Sequence, residues 1–249
     1  MDWHLGGLFV SAFVSATVLP GNSEIVLAAV LKAAWWGVKS ARPDATVLMP
    51  SLAFRPARYA MELAHNGLGS WTDGYNLHFY GWAGDYARVL GHHRLLMESM
   101  GLRAPVWVTE IGYFQLPASG ATDPEALARQ AAFHERVAVE SRMAGVHVHA
   151  AFSLSPFVDS VWDMGLTDPA GRWRPGLTAL AQVATRLQDA APWRHLVHRA
   201  TGECLGAALK ESAEPDPDGE GEAESWWMVL WSPARPREQR FPGADAVEP

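Results

Sequence analysis

The feature that most constrains this chain is an alternation of apolar, strand-like stretches with longer, helix-like stretches. The strand-like stretches are residues 46–54, 75–82, 106–113 and 146–157, and a helix-like stretch follows each of them. Strands that alternate with helices in this way form parallel βαβ units. The sequence therefore predicts an α/β fold built on a parallel sheet.

Helix starts and stops support this organisation. Asp85 and Asp123 each stand just before a helical pattern, where an aspartate serves as an N-cap, and Pro124 suits the first turn. Gly101 and Gly145 end the same two patterns, as glycine does when a helix closes in the left-handed conformation. Three more helices are predicted at residues 28–40, 55–69 and 176–188.

The organisation changes after residue 190. Residues 193–210 and 225–233 have the character of short antiparallel strands, and the acidic, Pro/Gly-rich run 214–224 between them is typical of an exposed loop. We therefore expect three parts: an apolar helical segment at 1–31, an α/β domain at 32–190, and a β-strand appendage at 191–249.

The amino-acid composition excludes several classes of function and site. The formal net charge is −7 and no basic stripe occurs, which argues against nucleic-acid binding. Cys204 is the single cysteine, so an intrachain disulfide and a cysteine zinc site are both excluded. Twelve tryptophans are present, and their flat faces suit sugar stacking, although we expect most of them to pack in the core and its rim.

Polar residues interrupt two of the predicted strands. Because side chains alternate along a strand, Asn76, His78 and Tyr80 should share one face. By the same rule Glu110 should share a face with Val106 and Val108 and come last on it. In barrels, catalytic groups lie at the C-terminal ends of strands. Periodicity alone favours the alternative, a glutamate at a strand end that faces water or pairs with an arginine.

Three motifs carry a resemblance to a known family. They are His78-x-Tyr80-Gly81, then Trp107-x-Thr-Glu-x-Gly112, and then Trp162 with Gly165-Leu166-x-Asp168, Gly171 and Arg174-Pro175. In this order and spacing they resemble the C-terminal half of retaining (β/α)₈ glycoside hydrolases, the clan with two catalytic glutamates that includes families 39 and 5. The resemblance runs from about Leu31 to Gln188 and implies a partial barrel, strands five to eight.

The resemblance also implies roles. Glu110 would be the nucleophile, and Tyr80 would orient it. Asn76 and His78 would contact sugar hydroxyls, with a carbohydrate as the partner and no metal or organic cofactor. The other implied substrate-binding residues are Trp82, Trp162, which would be a sugar platform, and Asp163, which would accept a sugar hydroxyl.

One part of the family pattern is missing. The acid/base glutamate of this clan usually stands in an Asn-Glu-Pro context at the end of strand four, and this sequence contains no Asn-Glu-Pro. We therefore expect a half-barrel with weak or no activity by itself, which could associate with itself to cover its open sheet. The alternative is a non-catalytic carbohydrate-binding remnant.

The apolar N-terminal segment, residues 5–31, has a different character. Its FVSAFVSATVLPGNSE stretch, Phe9 to Glu24, resembles the N-terminus of DedA-like (SNARE-associated) bacterial inner-membrane proteins. This resemblance implies a third possibility, a protein that associates with a membrane through residues 5–31. The expected compartment is a bacterial cytoplasm or periplasm. Before Pro20 the apolar run is shorter than the roughly 20 residues of a membrane span.

Two histidine pairs were weighed as metal ligands or surface residues. His147 and His149 are two apart on a predicted strand, a spacing that metal ligands also use, yet no third ligand stands nearby in sequence. We expect packed or hydrogen-bonded histidines there. His92 and His93 are expected on a solvated helix face.

Overall fold

A computed structural model describes residues 23–51, 57–114, 116–117, 122–159, 161–197, 204–211 and 226–230. The chain divides into two compact units, Met1–Val183 and Ala184–Pro249. The domain boundaries predicted at residues 31/32 and 190/191 stay predictions. Residues 5–22 of the apolar N-terminal segment lie outside the described part, and within that part no helix is both long enough and apolar enough to cross a membrane.

The first unit alternates helices with strands, as predicted. In chain order the elements are α1 (Ser23–Ala41), α2 (Ala57–His65), β1 (Tyr75–Phe79), α3 (Tyr86–Ser99), β2 (Val106–Ile111), α4 (Pro124–Met143), β3 (Val148–Ala151), β4 (Val158–Asp159), β5 (Trp162–Asp163) and α5 (Pro175–Asp189), which continues into the second unit. Short 3₁₀ turns precede β1 at Leu68–Ser70 and α3 at Ala83–Asp85.

The central sheet is parallel and ordered β1-β2-β3. The first predicted strand is reduced to a single parallel bridge between Leu48 and Gly74, just before β1, and residues 52–54 of it lie outside the described part. The last predicted strand ends at Ala151 instead of residue 157. The residues after it turn away and form the β4–β5 hairpin.

A bulge in β2 changes which side chains share a face. Leu77 pairs with Val108 but His78 pairs with Glu110, so Thr109 is an extra residue opposite β1. An extra residue resets the alternation of side chains along a strand. Val108 is fully buried and so is Ile111 beyond the bulge, whereas Glu110 remains half-buried. The prediction that Glu110 shares a face with Val106 and Val108 is therefore wrong.

The core of the first unit lies between this sheet and the helices α3 and α4. Leu77, Val108 and Ile111 are fully buried in one apolar cluster with the Tyr86 ring of α3 and Val137 of α4. Burying an aliphatic side chain of this size contributes about 1.5–3 kcal/mol. The apolar alternation of β1 and β2 is thus what holds the sheet against its helices and fixes where each strand ends.

The helix termini follow the sequence signals, with one exception. The Asp123 carboxylate accepts the Glu125 N–H at 3.1 Å and caps α4. Gly101 and Gly145 close α3 and α4 with φ of 64° and 65°. Asp85 makes no side-chain cap, contrary to the prediction, because its carboxylate instead accepts from Arg88 at 2.8 Å.

The second unit contains an antiparallel sheet. Its strands are β6 (Ala190–Val197), β7 (Cys204–Glu211) and β8 (Trp226–Leu230), in the order β6-β7-β8. The β-rich C-terminal region is thereby confirmed, and the acidic run at 214–224 lies outside the described residues. Ala207, Ala208 and Leu209 of the central strand β7 are buried.

Candidate active site

Glu110 lies one residue before the end of β2, and Tyr80 lies one residue beyond the end of the neighbouring strand β1. Parallel pairing brings these two carboxyl ends to the same edge of the sheet, and the N–H of Gly112 donates to the Phe79 carbonyl there at 3.1 Å. The sequence pattern placed both residues at strand ends, and the fold brings their side chains together.

The Glu110 carboxylate receives two side-chain contacts on one oxygen. The Tyr80 hydroxyl donates to Glu110 Oε2 at 2.5 Å, and His78 Nδ1 lies 3.0 Å from the same atom. The side chains of Glu110 and His78 are 35% and 21% exposed, so the group is sheltered but reachable from solvent. Burial, followed by the hydrogen bond to Glu110 and its charge, raises the pKa of Tyr80 well above its usual range. Tyr80 therefore stays neutral and keeps the proton that it donates.

The other ring nitrogen of His78, Nε2, takes part in a second set of side-chain contacts. His78 Nε2 lies 3.0 Å from the Thr109 hydroxyl, which lies 2.8 Å from Asn76 Oδ1. Asn76 is 8% exposed, so this end of the chain of contacts is anchored in the interior. Two of the predicted sugar contacts, Asn76 and His78, thus belong to the same hydrogen-bonded network as Glu110.

The Tyr80 ring is held by packing as well as by its hydroxyl. A Cβ placed on Gly112 would lie 2.7 Å from the ring atom Cε1 of Tyr80 and 3.2 Å from the Phe152 carbonyl oxygen. The Phe152 ring meets the Tyr80 ring edge-on, with centroids 6.0 Å apart. Residue 112 must therefore be glycine for Tyr80 to reach Glu110 from this direction.

The two predicted tryptophans lie outside the central sheet, Trp82 after β1 and Trp162 in the β4–β5 hairpin. Trp82 follows Tyr80 by two residues and meets the Phe114 ring edge-on at 6.4 Å. Trp162 begins β5, pairs with Asp159 and bridges to Pro117. Both side chains are half-buried.

Asp163 has contacts that differ from the predicted ones. It is 4% exposed, its Oδ2 accepts from the Arg174 guanidinium at 2.6 Å, and its Oδ1 accepts the N–H groups of Gly165 and Phe157 at 2.9 and 3.2 Å. Burial alone would raise the pKa of Asp163, but the guanidinium and the two N–H groups together hold this pKa below its usual value. These contacts connect Asp163 to Phe157, Gly165 and Arg174 and hold the segment between β3 and α5 together. They take the place of the predicted sugar contact.

Three other histidines lie away from Glu110 and contact side chains of the fold. His93 is 4% exposed and bonds the Tyr75 hydroxyl through Nδ1 at 2.6 Å, so its prediction as a solvated residue is wrong. His149 is packed and bonds the Ser141 hydroxyl at 2.8 Å, as expected. His147 is exposed and lies beside the Trp107 ring. Within the described ranges, no group of three His, Cys, Asp or Glu side chains is placed to hold a metal ion.

One open groove of about 630 Å³ lies elsewhere in the first unit. It is lined by residues that precede β1 and β2, among them Thr72, Asp73, Arg103 and Ala104. These residues lie at the N-terminal ends of the strands, the opposite end from Glu110. In barrels that end contributes to stability and not to catalysis, so Glu110 and not the groove marks the candidate active site.

Comparison with solved structures identifies the fold. A glucosidase from Croceicoccus marinus aligns with a TM-score of 0.57 at 16% identity, over 76% of this chain and 41% of that one. A monomeric β-xylosidase from Caulobacter crescentus aligns over 79% of this chain and 45% of that one, at 16% identity and a TM-score of 0.49. The likeness to the glucosidase shows that this chain has a glycosidase-like fold, an α/β fold that is part of a (β/α)₈ barrel.

The chain spans less than half the length of those two structures. No protein-family model matches it, and neither does any curated protein. The resemblance of residues 5–31 to DedA-like proteins therefore stays a prediction.

Thr109 and Gly112 belong to the Trp107-to-Gly112 motif, but the sequence predicted no role for either of them. A signal for Thr109 was present, because two polar residues in succession, Thr109 and Glu110, break the alternation of an otherwise apolar strand. Such a break is what a bulge produces. The reason for glycine at position 112 could not be read from the motif, since it arises from the Tyr80 ring, which comes from the end of the neighbouring strand β1.

Proposed function

We propose that this chain carries the nucleophile half of a retaining β-glycoside hydrolase site, with Glu110 as the nucleophile. The observation that supports the proposal is the pair of side-chain contacts on Glu110 Oε2: the Tyr80 hydroxyl at 2.5 Å and His78 Nδ1 at 3.0 Å. These two contacts fix the direction of the half-exposed carboxylate. A carboxylate that is held in place and reachable at a strand end is what nucleophilic attack on a sugar requires.

In the proposed reaction a Glu110 carboxylate oxygen attacks the anomeric carbon of a β-glycoside. The bond from that carbon to the leaving-group oxygen breaks, and a covalent glycosyl-enzyme forms. Water later attacks the same carbon and loses a proton to solvent, and the bond from that carbon to Glu110 breaks and releases Glu110 as the carboxylate. Tyr80 remains neutral throughout and supplies a hydrogen bond whose strength changes as the charge on Glu110 is consumed and restored.

A complete retaining site needs a second carboxyl about 5–5.5 Å away to protonate the leaving group. The sequence offers no Asn-Glu-Pro for that role. We therefore propose that this chain alone attacks glycosides whose leaving group needs no proton, and that it is weak or inactive on ordinary glycosides. For substrate contacts we propose His78, Trp82 and Trp162. We leave out Asn76, which is 8% exposed and accepts from Thr109, and Asp163, because protein donors occupy both of its oxygens.

The alternative is a non-catalytic carbohydrate-binding protein. The absence of Asn-Glu-Pro favours it, because the same polar network and tryptophans could bind a sugar that is never cleaved. This alternative predicts sugar binding with no release of an activated leaving group.

Self-association is a further part of the proposal. Four apolar side chains near the β4–β5 hairpin are 45–63% exposed: Leu154, Phe157, Val158 and Val161. Exposed apolar patches commonly mark contact surfaces. We propose that a second copy covers this region, and sedimentation equilibrium would detect the dimer. A monomer at all accessible concentrations would contradict this part of the proposal.

The test of the proposed function compares two leaving groups. 2,4-Dinitrophenyl β-glycosides of glucose and xylose should release dinitrophenol, while the corresponding methyl β-glycosides should not react. Glu110→Gln should lower the dinitrophenol rate at least about 1,000-fold, as loss of a nucleophile does. Glu98→Gln, at an exposed position on α3, is the matched control and should keep the full rate. An equal rate in Glu110→Gln would contradict the proposed nucleophile.

A further inference from the structure

The Thr109 hydroxyl occupies a central place in the network around Glu110. It lies between His78 Nε2, at 3.0 Å, and Asn76 Oδ1, at 2.8 Å. Thr109 is the extra residue of the bulge in β2, and the pairing of His78 with Glu110 directly follows it. The bulge therefore lets two successive side chains of one strand, Thr109 and Glu110, both contact His78.

The proton count along this network constrains the imidazole of His78. A hydroxyl donates one proton, so if Thr109 donates to Asn76 it accepts from His78 Nε2. If the Asn76 amide is turned to donate, Thr109 instead donates to Nε2. The Glu110 carboxylate is an acceptor in either case, so the atom that faces it, Nδ1, carries a proton in both arrangements.

We propose that Thr109 is a positioning residue, whose hydroxyl holds the His78 ring so that its Nδ1–H points at Glu110. The importance of Thr109 for catalysis rests on the proposed function, but the hydrogen-bonded arrangement itself does not. The methyl group and backbone of Thr109 complete the bulge, whereas the hydroxyl alone reaches His78. Removing only the hydroxyl should therefore release the imidazole and leave the strand pairing intact.

The test uses the full chain labelled with ¹⁵N-histidine and reads the protonation of each ring nitrogen by NMR. The His78 signals are assigned as those that disappear in His78→Gln. In the natural chain we expect a proton on Nδ1 that exchanges slowly with water. Thr109→Val should lose this slow-exchanging signal, and Thr109→Ser, which restores a hydroxyl, should recover it.

A matched control separates this effect from general loosening. Thr167 is buried and donates to the Leu154 carbonyl at 2.9 Å, so Thr167→Val also removes one threonine hydrogen bond. It should leave the His78 signals unchanged. An unchanged Nδ1–H signal in Thr109→Val would overturn the proposal, and so would an equal loss in Thr167→Val.

The natural chain supplies a test that needs no variant. A bare Nδ1, with the proton on Nε2 alone, would overturn the proposal even if Thr109→Val failed to fold. Failure of the proposed function is distinguished by turnover. A protonated Nδ1 that depends on the Thr109 hydroxyl, in a chain that never releases dinitrophenol, supports the positioning role and rejects the glycosidase.

Discussion

Two carboxylates of the first unit, Glu110 and Asp163, differ in exposure and in the partners that they contact. Glu110 is 35% exposed and meets two neutral or titratable side chains, Tyr80 and His78. Asp163 is 4% exposed and meets a permanent cation, Arg174, together with two backbone donors. Burying a carboxylate without a paired cation costs several kcal/mol of folding free energy, so a buried carboxylate must keep its hydrogen bonds to its protein partners. Only the half-exposed one is available for substrate.

The largest expected effect lies on the buried side of this comparison. Arg174→Met would leave the Asp163 carboxylate buried without its cation, and such a loss costs about 3–5 kcal/mol in the free energy of unfolding. Urea denaturation measures it. Arg172→Met is the matched control, because the Arg172 side chain is 82% exposed where it pairs with Asp168, and it should change the stability little. Equal losses in the two variants would remove the distinction between buried and exposed pairs.

The next effect concerns two packed histidines, His134, which is fully buried, and His149, which is half-buried. Burial, and then the nearby charge of His149, lowers the pKa of His134 to about 3, and burial lowers the pKa of His149 to about 4. Both rings stay neutral in the folded chain while the unfolded chain takes up protons below about pH 6.5. These two histidines therefore do not lower the free energy of unfolding above about pH 6.5. Below that pH each of them lowers it by up to about 1.4 kcal/mol per pH unit.

His134→Leu should remove one of these two contributions. Between pH 7.5 and pH 5 its stability should fall by about 2 kcal/mol less than that of the natural chain. His92→Leu, at an exposed position of α3, should keep the natural pH dependence. Urea denaturation across this pH range measures both, and identical slopes for the natural chain and His134→Leu would contradict the buried, neutral state of His134.

A smaller effect tests the packing that holds Tyr80. Gly112→Ala would place its Cβ 2.7 Å from the Tyr80 ring, so the ring must move or the strand end must shift. Overpacking of this kind costs about 1–3 kcal/mol. Gly91→Ala is the control, since nothing lies within 4 Å of its Cβ position on α3 and alanine favours a helix by up to about 1 kcal/mol. The two variants should thus differ in sign, and a stabilised Gly112→Ala would contradict the packing.

The smallest effect on stability is expected from Tyr80→Phe. Loss of one hydrogen bond to a half-exposed carboxylate should cost about 1 kcal/mol or less of folding stability. Its effect on dinitrophenol release should be clearer, a loss of roughly 10- to 100-fold, because the bond to Glu110 orients the attacking group. Steady-state rates measure this loss, and an unchanged rate would separate Tyr80 from the chemistry.

The sequence predicted the parallel α/β class and most helix ends, because each depends on local periodicity, and its resemblance to a known family implied the hydrogen bond between Tyr80 and Glu110. It failed where one element alters another. The bulge at Thr109 inverted the face assigned to Glu110, and the Arg174 guanidinium, eleven residues after Asp163, turned a predicted sugar contact into a buried ion pair. His93 was misplaced for the same reason, since its partner Tyr75 belongs to another element.

The most direct test of the central claim is covalent trapping at Glu110. A 2-deoxy-2-fluoro β-glycoside with a dinitrophenyl leaving group needs no acid for the first step, and its glycosyl-enzyme is slow to hydrolyse, so a chain without the acid/base glutamate can still be labelled. We predict a mass increase of one fluorosugar, located by peptide mass spectrometry on the peptide that contains Glu110 and absent in Glu110→Gln. No label, or a label that persists in Glu110→Gln, would contradict the assignment of Glu110 as the nucleophile.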